Sequence, residues 1–126
     1  MRFRSFFYIL MEEMEKMEKN QKLEVNTYVN GAICIWIWDE AEEESVIDIT
    51  TNLDRYMLSA FSGFVDVSNS EAARIIEDLK IGKPTGAYGF SGMSCYMLYT
   101  FDRKRLEELD PDGVKMYVEQ EEKICG

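Results

Sequence analysis

The sequence predicts an α+β fold: a single antiparallel sheet of four to five strands, with an N-terminal amphipathic helix and one or two further helices packed on it. Three observations lead to this expectation. Apolar and polar residues alternate in several short runs, as they do in half-buried strands. An Asn-Gly pair at residues 30–31 joins two such runs. Residues 3–19 and 68–82 instead carry apolar side chains three and four apart, the spacing of amphipathic helices.

Length and composition favour one globular domain. The chain has 126 residues, and 46% of them are apolar, which is enough for a core of its own. We assign residues 1–21 to an amphipathic helical extension and residues 22–126 to a single α+β domain. The apolar run at residues 6–10 is too short for a membrane helix and is followed by acids rather than a cleavage site. We therefore expect a cytoplasmic protein.

The extension has a heptad-like apolar seam. Phe3, Phe7, Leu10, Met14 and Met17 follow one another at intervals of 4, 3, 4 and 3. Two interpretations stay open: the seam joins two copies of the chain in a homodimer, or it packs on the chain's own domain. Two heptads are few for an independent coiled coil.

The next residues predict a β-hairpin. Residues 22–29 alternate in polarity and residues 32–38 form a second strand, with Asn30 and Gly31 as a two-residue type I′ turn between them. The second strand is apolar on both faces, with isoleucines on one side and Cys34, Trp36 and Trp38 on the other. Such a strand is expected at the centre of a sheet that is covered on both sides.

Further strands are predicted at residues 45–53, 61–67 and 95–101, the last again apolar on both faces. We interpret Gly63 as the site of a β-bulge. Between these strands, residues 68–82 predict a helix with a capping box from Ser68 to Glu71, or with Ser70 as an alternative cap. This helix is expected to have Gly82 as its left-handed C-terminal cap. Its buried stripe comprises Ala72, Ile75, Ile76 and Leu79.

The end of the chain predicts less structure. Asp102 is expected to cap a short helix over residues 103–109. The sequence "DPDG" at residues 110–113 has the composition of a turn, and residues after it predict one amphipathic turn or strand.

Residues 82–92 hold four glycines and raise the question of a phosphate-binding loop. Phosphate loops feed a helix N-terminus, whereas these glycines follow a helix and precede a strand. The order "GKPTG" also differs from the phosphate-loop motif. We therefore predict a long turn or loop, on which Tyr88 and Phe90 are candidate contact residues.

The residue inventory argues against catalysis. Histidine is absent, which excludes Ser-His-Asp and Cys-His mechanisms and histidine-ligated metal sites. The three cysteines, Cys34, Cys95 and Cys125, form no CxxC pair and are expected to be reduced thiols. The acidic run at residues 39–44 lacks the glycine of a calcium loop. We expect no enzymatic activity, no cofactor and no bound metal.

Net charge indicates the kind of partner. With 24 acids against 14 bases, the chain carries −10 and should repel nucleic acid and anionic membranes. It should instead attract a protein with a basic surface, including one that normally holds nucleic acid. Simple solubilisation is the plain alternative. The candidate partner-binding residues are Asp39, Glu40, Glu42, Glu43, Glu44, Tyr88, Phe90, Glu107, Glu108, Asp110 and Asp112. An alternative function is binding of a small molecule in an aromatic pocket near Trp36, Trp38, Tyr88 and Phe90.

The order of motifs over residues 22–109 resembles a family of small domains carried on conjugative elements, plasmids and phages of gut anaerobes. The motifs are a strand ending in "TNL" at 51–53, "FVD" at 64–66 before Asn69, the turn "PTG" at 84–86, and "SG" at 91–92 before a strand with Tyr96, Leu98, Tyr99 and Phe101. This resemblance implies a mobile-element setting and no catalytic residue. It suggests an accessory protein that inhibits a CRISPR or restriction component by occluding its basic nucleic-acid-binding surface.

Overall fold

The computed structural model describes residues 20–53 and 55–125, and for residues 124 and 125 only the backbone. The seam of the expected N-terminal helix lies outside these residues. The described helices and strands follow one another along the chain as β1 (Gln21–Thr27), β2 (Ile33–Asp39), β3 (Glu44–Asp48), β4 (Ser62–Asp66), α1 (Ser70–Leu79), β5 (Gly82–Ser91), β6 (Ser94–Phe101), α2 (Arg103–Leu109) and α3 (Pro111–Cys125).

The expected α+β class is confirmed, but the single sheet is wrong. The strands form two antiparallel three-stranded sheets, ordered β1-β2-β3 (sheet 1) and β4-β6-β5 (sheet 2). The chain changes sheets just after β3. There the amides of Ile49 and Thr50 both donate to the carbonyl of Ile35, at 2.9 and 3.3 Å, and the next residue, Thr51, pairs with Phe64 of β4.

The two strands that are apolar on both faces lie at sheet centres, as expected. β2 is the middle strand of sheet 1 and β6 that of sheet 2. On β2 the isoleucine face is fully buried, with Ile33, Ile35 and Ile37 at most 1% exposed. The opposite face is covered only in part, since Trp36 and Trp38 remain half-buried.

The β1–β2 hairpin forms with a longer turn than expected. The amide of Tyr28 donates to the carbonyl of Ala32 at 2.8 Å, so the loop consists of the three residues 29–31 rather than two. Only Gly31 of the Asn-Gly pair has a positive φ, 92°, whereas a type I′ turn needs two such residues. The loop therefore leaves Val29 fully exposed at its tip.

Helix α1 has the expected buried stripe, but its caps differ. The N-cap is Asn69, whose side-chain oxygen accepts from the amide of Ala72 at 3.0 Å. Ser68 is unavailable as a cap because its amide and hydroxyl both donate to Asp66, at 2.8 and 2.7 Å. These bonds hold the pKa of the Asp66 carboxyl below its ordinary value. The left-handed C-cap is Lys80, with φ 58°, rather than Gly82.

Two further expectations are corrected in the second half of the chain. The glycine-rich segment is not a loop but strand β5, which pairs with β6 on either side of a register shift between Pro84 and Tyr88. The "DPDG" segment opens the long helix α3 rather than a turn, with Pro111 in the first helical position, where its missing N–H costs nothing. The short helix α2 is capped by Asp102 as expected.

Gly63 does not mark a bulge, since β4 pairs regularly with β6. A Cβ at this position would lie 3.2 Å from Ile33 and 3.3 Å from Phe101, which shows that sheet 1 approaches sheet 2 closely here. The core fills the space between the sheets and the helices. Tyr117 of α3 is 1% exposed and its hydroxyl accepts from the amide of Phe61 at 3.0 Å.

Candidate functional site

Residues 39–44 form the acidic turn between β2 and β3, and hydrogen bonds to Asp39, its first acid, fix the backbone of this turn. The Asp39 carboxylate accepts from the amides of Ala41 and Glu42, at 2.9 and 3.1 Å, and its carbonyl accepts from the amide of Glu43 at 2.8 Å. Glu43 has a left-handed backbone, with φ 55°. We call residues 39–44 the acidic hairpin. The side chains of the glutamates at residues 42–44 are exposed to solvent.

The charges of the acidic hairpin are poorly compensated. Glu40 forms an ion pair with Lys22, at 3.4 Å, and this carboxylate raises the pKa of Lys22 above its ordinary value. Glu42, Glu43 and Glu44 are exposed and have no ion-pair partner within the described part of the chain. Five acids at one turn therefore face a single neighbouring lysine.

Two tryptophans of β2, Trp36 and Trp38, come just before the acidic hairpin along the chain. The ring centroids of Trp36 and Trp38 lie 6.3 Å apart with an interplanar angle of 35°. The indole N–H of Trp36 donates to the carboxylate of Glu24 at 2.8 Å, which fixes that ring. In the strand register, Trp36 lies between Glu24 of β1 and Asp48 of β3. The tryptophan pair thus forms a flat, half-buried aromatic surface flanked by acids.

Most acids of the second acidic cluster, around α2, contact other residues of the domain. Glu107 pairs with Arg103 at 3.2 Å, and Glu108 pairs with Arg105 in a contact where both side chains are largely buried. Asp110 accepts from the amides of Val25 and Gly113.

Of the four acids predicted there as partner-binding residues, only Asp112 is both exposed and without a described partner. The other three contact other residues of the domain, Glu107 in an exposed ion pair and Glu108 and Asp110 in partly buried contacts.

Tyr88 and Phe90 lie on β5 of sheet 2, where they are 52% and 56% exposed. They stand opposite Met97 and Cys95 of β6. The backbone of Phe90 is fixed on both sides, since its carbonyl accepts from Arg55 and its amide donates to the Tyr56 hydroxyl. Both aromatic residues are therefore accessible, and the backbone of Phe90 is held in place, but they lie on a different sheet from the tryptophan pair.

Cys34 is buried on β2, and burial raises the pKa of its thiol, which makes it a poor nucleophile. Among residues 20–53 and 55–125, no group of three acids or cysteines is arranged to hold a metal ion. Likewise, none of the described helices combines the length and apolarity that crossing a membrane requires.

Fold and surface together define an acidic two-sheet α+β domain with an aromatic, acid-flanked face. The chain belongs to the DUF4313 family, a domain of unknown function whose model matches residues 22–121. This range agrees with the span of the resemblance seen in the sequence. No curated protein and no solved structure matches the chain.

Sequence reasoning found the acidic hairpin because a run of five acids is visible without a structure. It also named both tryptophans, although as lining of a pocket shared with Tyr88 and Phe90. It did not find Glu24 and Asp48 as flanking residues of the tryptophan pair. The alternation of β1 indicates that Glu24 points away from the core, but only the strand register places it beside Trp36.

Proposed function

We propose that this protein is a non-enzymatic binding protein of a mobile genetic element. It inhibits a host defence component, of CRISPR or restriction type, by occluding the basic surface with which that component holds nucleic acid. The observation that supports this most is the continuity of the acidic hairpin with the tryptophan pair. The mobile-element setting and the class of target come from the resemblance seen in the sequence.

A surface that holds nucleic acid offers arginine and lysine side chains at phosphate spacing. The free carboxylates at residues 42–44 supply negative charge in the place of phosphates. Arginine also stacks on aromatic faces, and tryptophan is the strongest such partner, with about 0.5–2 kcal/mol per contact. An arginine-rich surface could therefore form ion pairs with the acidic hairpin and stack its guanidinium groups on the tryptophan rings beside it.

The rigidity of this surface favours binding. The tryptophans lie on the central strand of sheet 1, and the Glu24 contact already orients the Trp36 ring. Less side-chain freedom is lost on binding when the contacting groups are held beforehand. Tryptophan is also among the residues most enriched at the energetic centres of protein interfaces.

The test uses three versions of the full chain as bait in a lysate of a natural host. They are the wild type, a hairpin variant with the glutamates at residues 42–44 changed to glutamine, and a helix variant with Glu119, Glu121 and Glu122 of α3 changed to glutamine. Each variant loses three negative charges, so the two have equal net charge. Native mass spectrometry identifies what each bait retains.

We expect a basic protein to be retained by the wild type and the helix variant and lost by the hairpin variant. Adding nucleic acid should then release that protein from the wild type, because the two compete for one surface. Equal retention by all three baits, or no competition by nucleic acid, would show that the proposal is wrong.

A further inference from the structure

A cleft of about 850 Å³ lies between α1 and the end of sheet 2 where β5 begins and β6 ends. This volume lies within the range of pockets that hold small ligands, roughly 300–1,000 Å³. The residues that line it come from three elements and from their flanking caps: Ala73, Arg74, Ile76, Glu77, Lys80, Gly82, Lys83, Pro84, Tyr99, Thr100, Phe101 and Asp102.

The lining includes flat aromatic surface beside a short side chain. The rings of Tyr99 and Phe101 stack with centroids 6.1 Å apart and an interplanar angle of 21°. Pro84 pairs with Tyr99 across the strands and extends this surface. On the helix side, Ala73 contributes only a methyl group to the lining. A cleft lined by an aromatic ring and a proline favours a planar ring over a branched aliphatic group.

The charge of the lining differs from that of the chain. Arg74 is engaged in ion pairs with Asp78, at 3.1 Å, and with Glu71, at 4.0 Å. Lys80 and Lys83 contribute two further positive charges, against two negative charges from Glu77 and Asp102, so the lining is close to neutral where the whole chain carries −10. The Asp102 carboxylate accepts from the amide of Arg105, and the two lysines are the groups of the cleft that an anion would contact.

The edge of sheet 2 beside the cleft is unsuited to an added peptide strand. Pro84 of the edge strand β5 has no N–H to donate, and the register shift after it interrupts the strand. A small molecule that enters the cleft by itself needs no such edge.

We propose that this cleft binds a planar small molecule that carries a negative charge and has about the size of a mononucleotide. The ring packs against Tyr99 and Pro84, and the anionic group lies beside Lys80 and Lys83. The site is separate from the acidic hairpin, which belongs to sheet 1, so it stands or falls independently of the proposed protein partner.

The experiment is an NMR titration of the full chain, labelled with ¹⁵N, with AMP, flavin mononucleotide and salicylate at millimolar concentration. Adenosine serves as the uncharged counterpart of AMP. We expect at least one of the three anions to shift the amides of the cleft residues in a saturable manner. AMP should bind about fivefold or more tightly than adenosine, the worth of one or two exposed ion pairs. If none of the three anions shifts these amides, the proposal is wrong.

Variants separate the cleft from the rest of the surface. Ala73→Trp should fill the cleft and remove binding, while Ala87→Trp, on the exposed part of β5 outside the cleft, should leave it unchanged. Lys80→Gln and Lys83→Gln together should reduce the affinity for AMP to that for adenosine without changing the fold. Binding of AMP to the Ala73→Trp variant with wild-type affinity would overturn the proposal.

Discussion

Removing the Asp110 carboxylate should weaken the whole domain, although the sequence places this residue in an acidic run that could equally be surface charge. One oxygen of Asp110 accepts from the amide of Val25, at 2.8 Å, which joins β1 to a residue 85 positions away. The other accepts from the amide of Gly113, at 3.2 Å, and so caps the first turn of α3. A single side chain therefore connects sheet 1 to the C-terminal helix.

The expected cost of Asp110→Ala follows from these two contacts. A hydrogen bond to a charged acceptor contributes about 1.5–3 kcal/mol, and a helix N-cap contributes about 1 kcal/mol. Because Val25 is 3% exposed, water cannot readily replace the lost acceptor. We expect the free energy of unfolding to fall by about 2–4 kcal/mol, which lowers the melting temperature by roughly 10 °C in a domain of this size.

Urea denaturation followed by circular dichroism measures this change. Asp112→Ala is the matched control: it removes the same charge from the same turn, but Asp112 is exposed and should lose less than about 1 kcal/mol. Asp110→Asn keeps an acceptor oxygen and should fall between the two. If Asp110→Ala and Asp112→Ala proved equally stable, our account of this junction would be refuted.

Two further predictions concern packing and pH. Gly89→Ala should cost about 1–3 kcal/mol, since the new Cβ would lie 2.8 Å from the Phe64 ring. Thermal melts should show a cost below about 1 kcal/mol for Gly92→Asn, because nothing lies within 4 Å of its Cβ and asparagine tolerates the left-handed φ of 60° there better than other side chains. Burial raises the pKa of both Tyr28 and Cys34 above ordinary values of 10.0 and 9.0. Because the folded state holds these protons more tightly than the unfolded state, their contribution to stability is fully present below about pH 9 and is lost as the pH rises further. The free energy of unfolding, measured at pH 8 and pH 11, should therefore fall in the wild type and fall less in a Tyr28→Phe, Cys34→Ala variant. An equal fall in both proteins would contradict this prediction.

The parts of the fold that could be predicted were those with a local signal. The periodicity of apolar residues predicts the β1–β2 hairpin and α1, and the position of Asp102 before a short apolar repeat predicts that it caps α2. The pairing of strands has no such signal. A strand apolar on both faces indicates a central position, but β2 and β6 satisfy that expectation equally well in two sheets or in one.

Other elements were missed because local signals compete. Pro111 and Gly113 read as a turn, yet a proline also suits the first position of a helix, and Asp110 completes that start by capping it. The glycines of β5 read as a loop, yet Gly89 is a glycine because the Phe64 ring occupies the place of its Cβ. Such reasons depend on a neighbour that is distant in sequence.

The candidate site divides in the same way. The acidic hairpin is contiguous in sequence, so its composition alone identified it. The same logic also selects Glu107, Glu108 and Asp110, and only the structure shows that these acids form contacts with Arg103, Arg105 and the amide of Val25. The cleft went unseen because Ala73, Pro84 and Tyr99 have nothing in common until the chain folds.

The most direct test of the central claim is the affinity of this surface for a basic partner, measured by isothermal titration calorimetry with a nona-arginine peptide at low and physiological salt. The hairpin variant at residues 42–44 and the helix variant at Glu119, Glu121 and Glu122 have equal net charge, so non-specific attraction would weaken both alike. We predict that the hairpin variant loses about tenfold or more in affinity, from three ion pairs of about 0.5–1 kcal/mol each, and that the helix variant stays close to the wild type. Equal losses in the two variants would contradict a defined basic-partner site at the acidic hairpin.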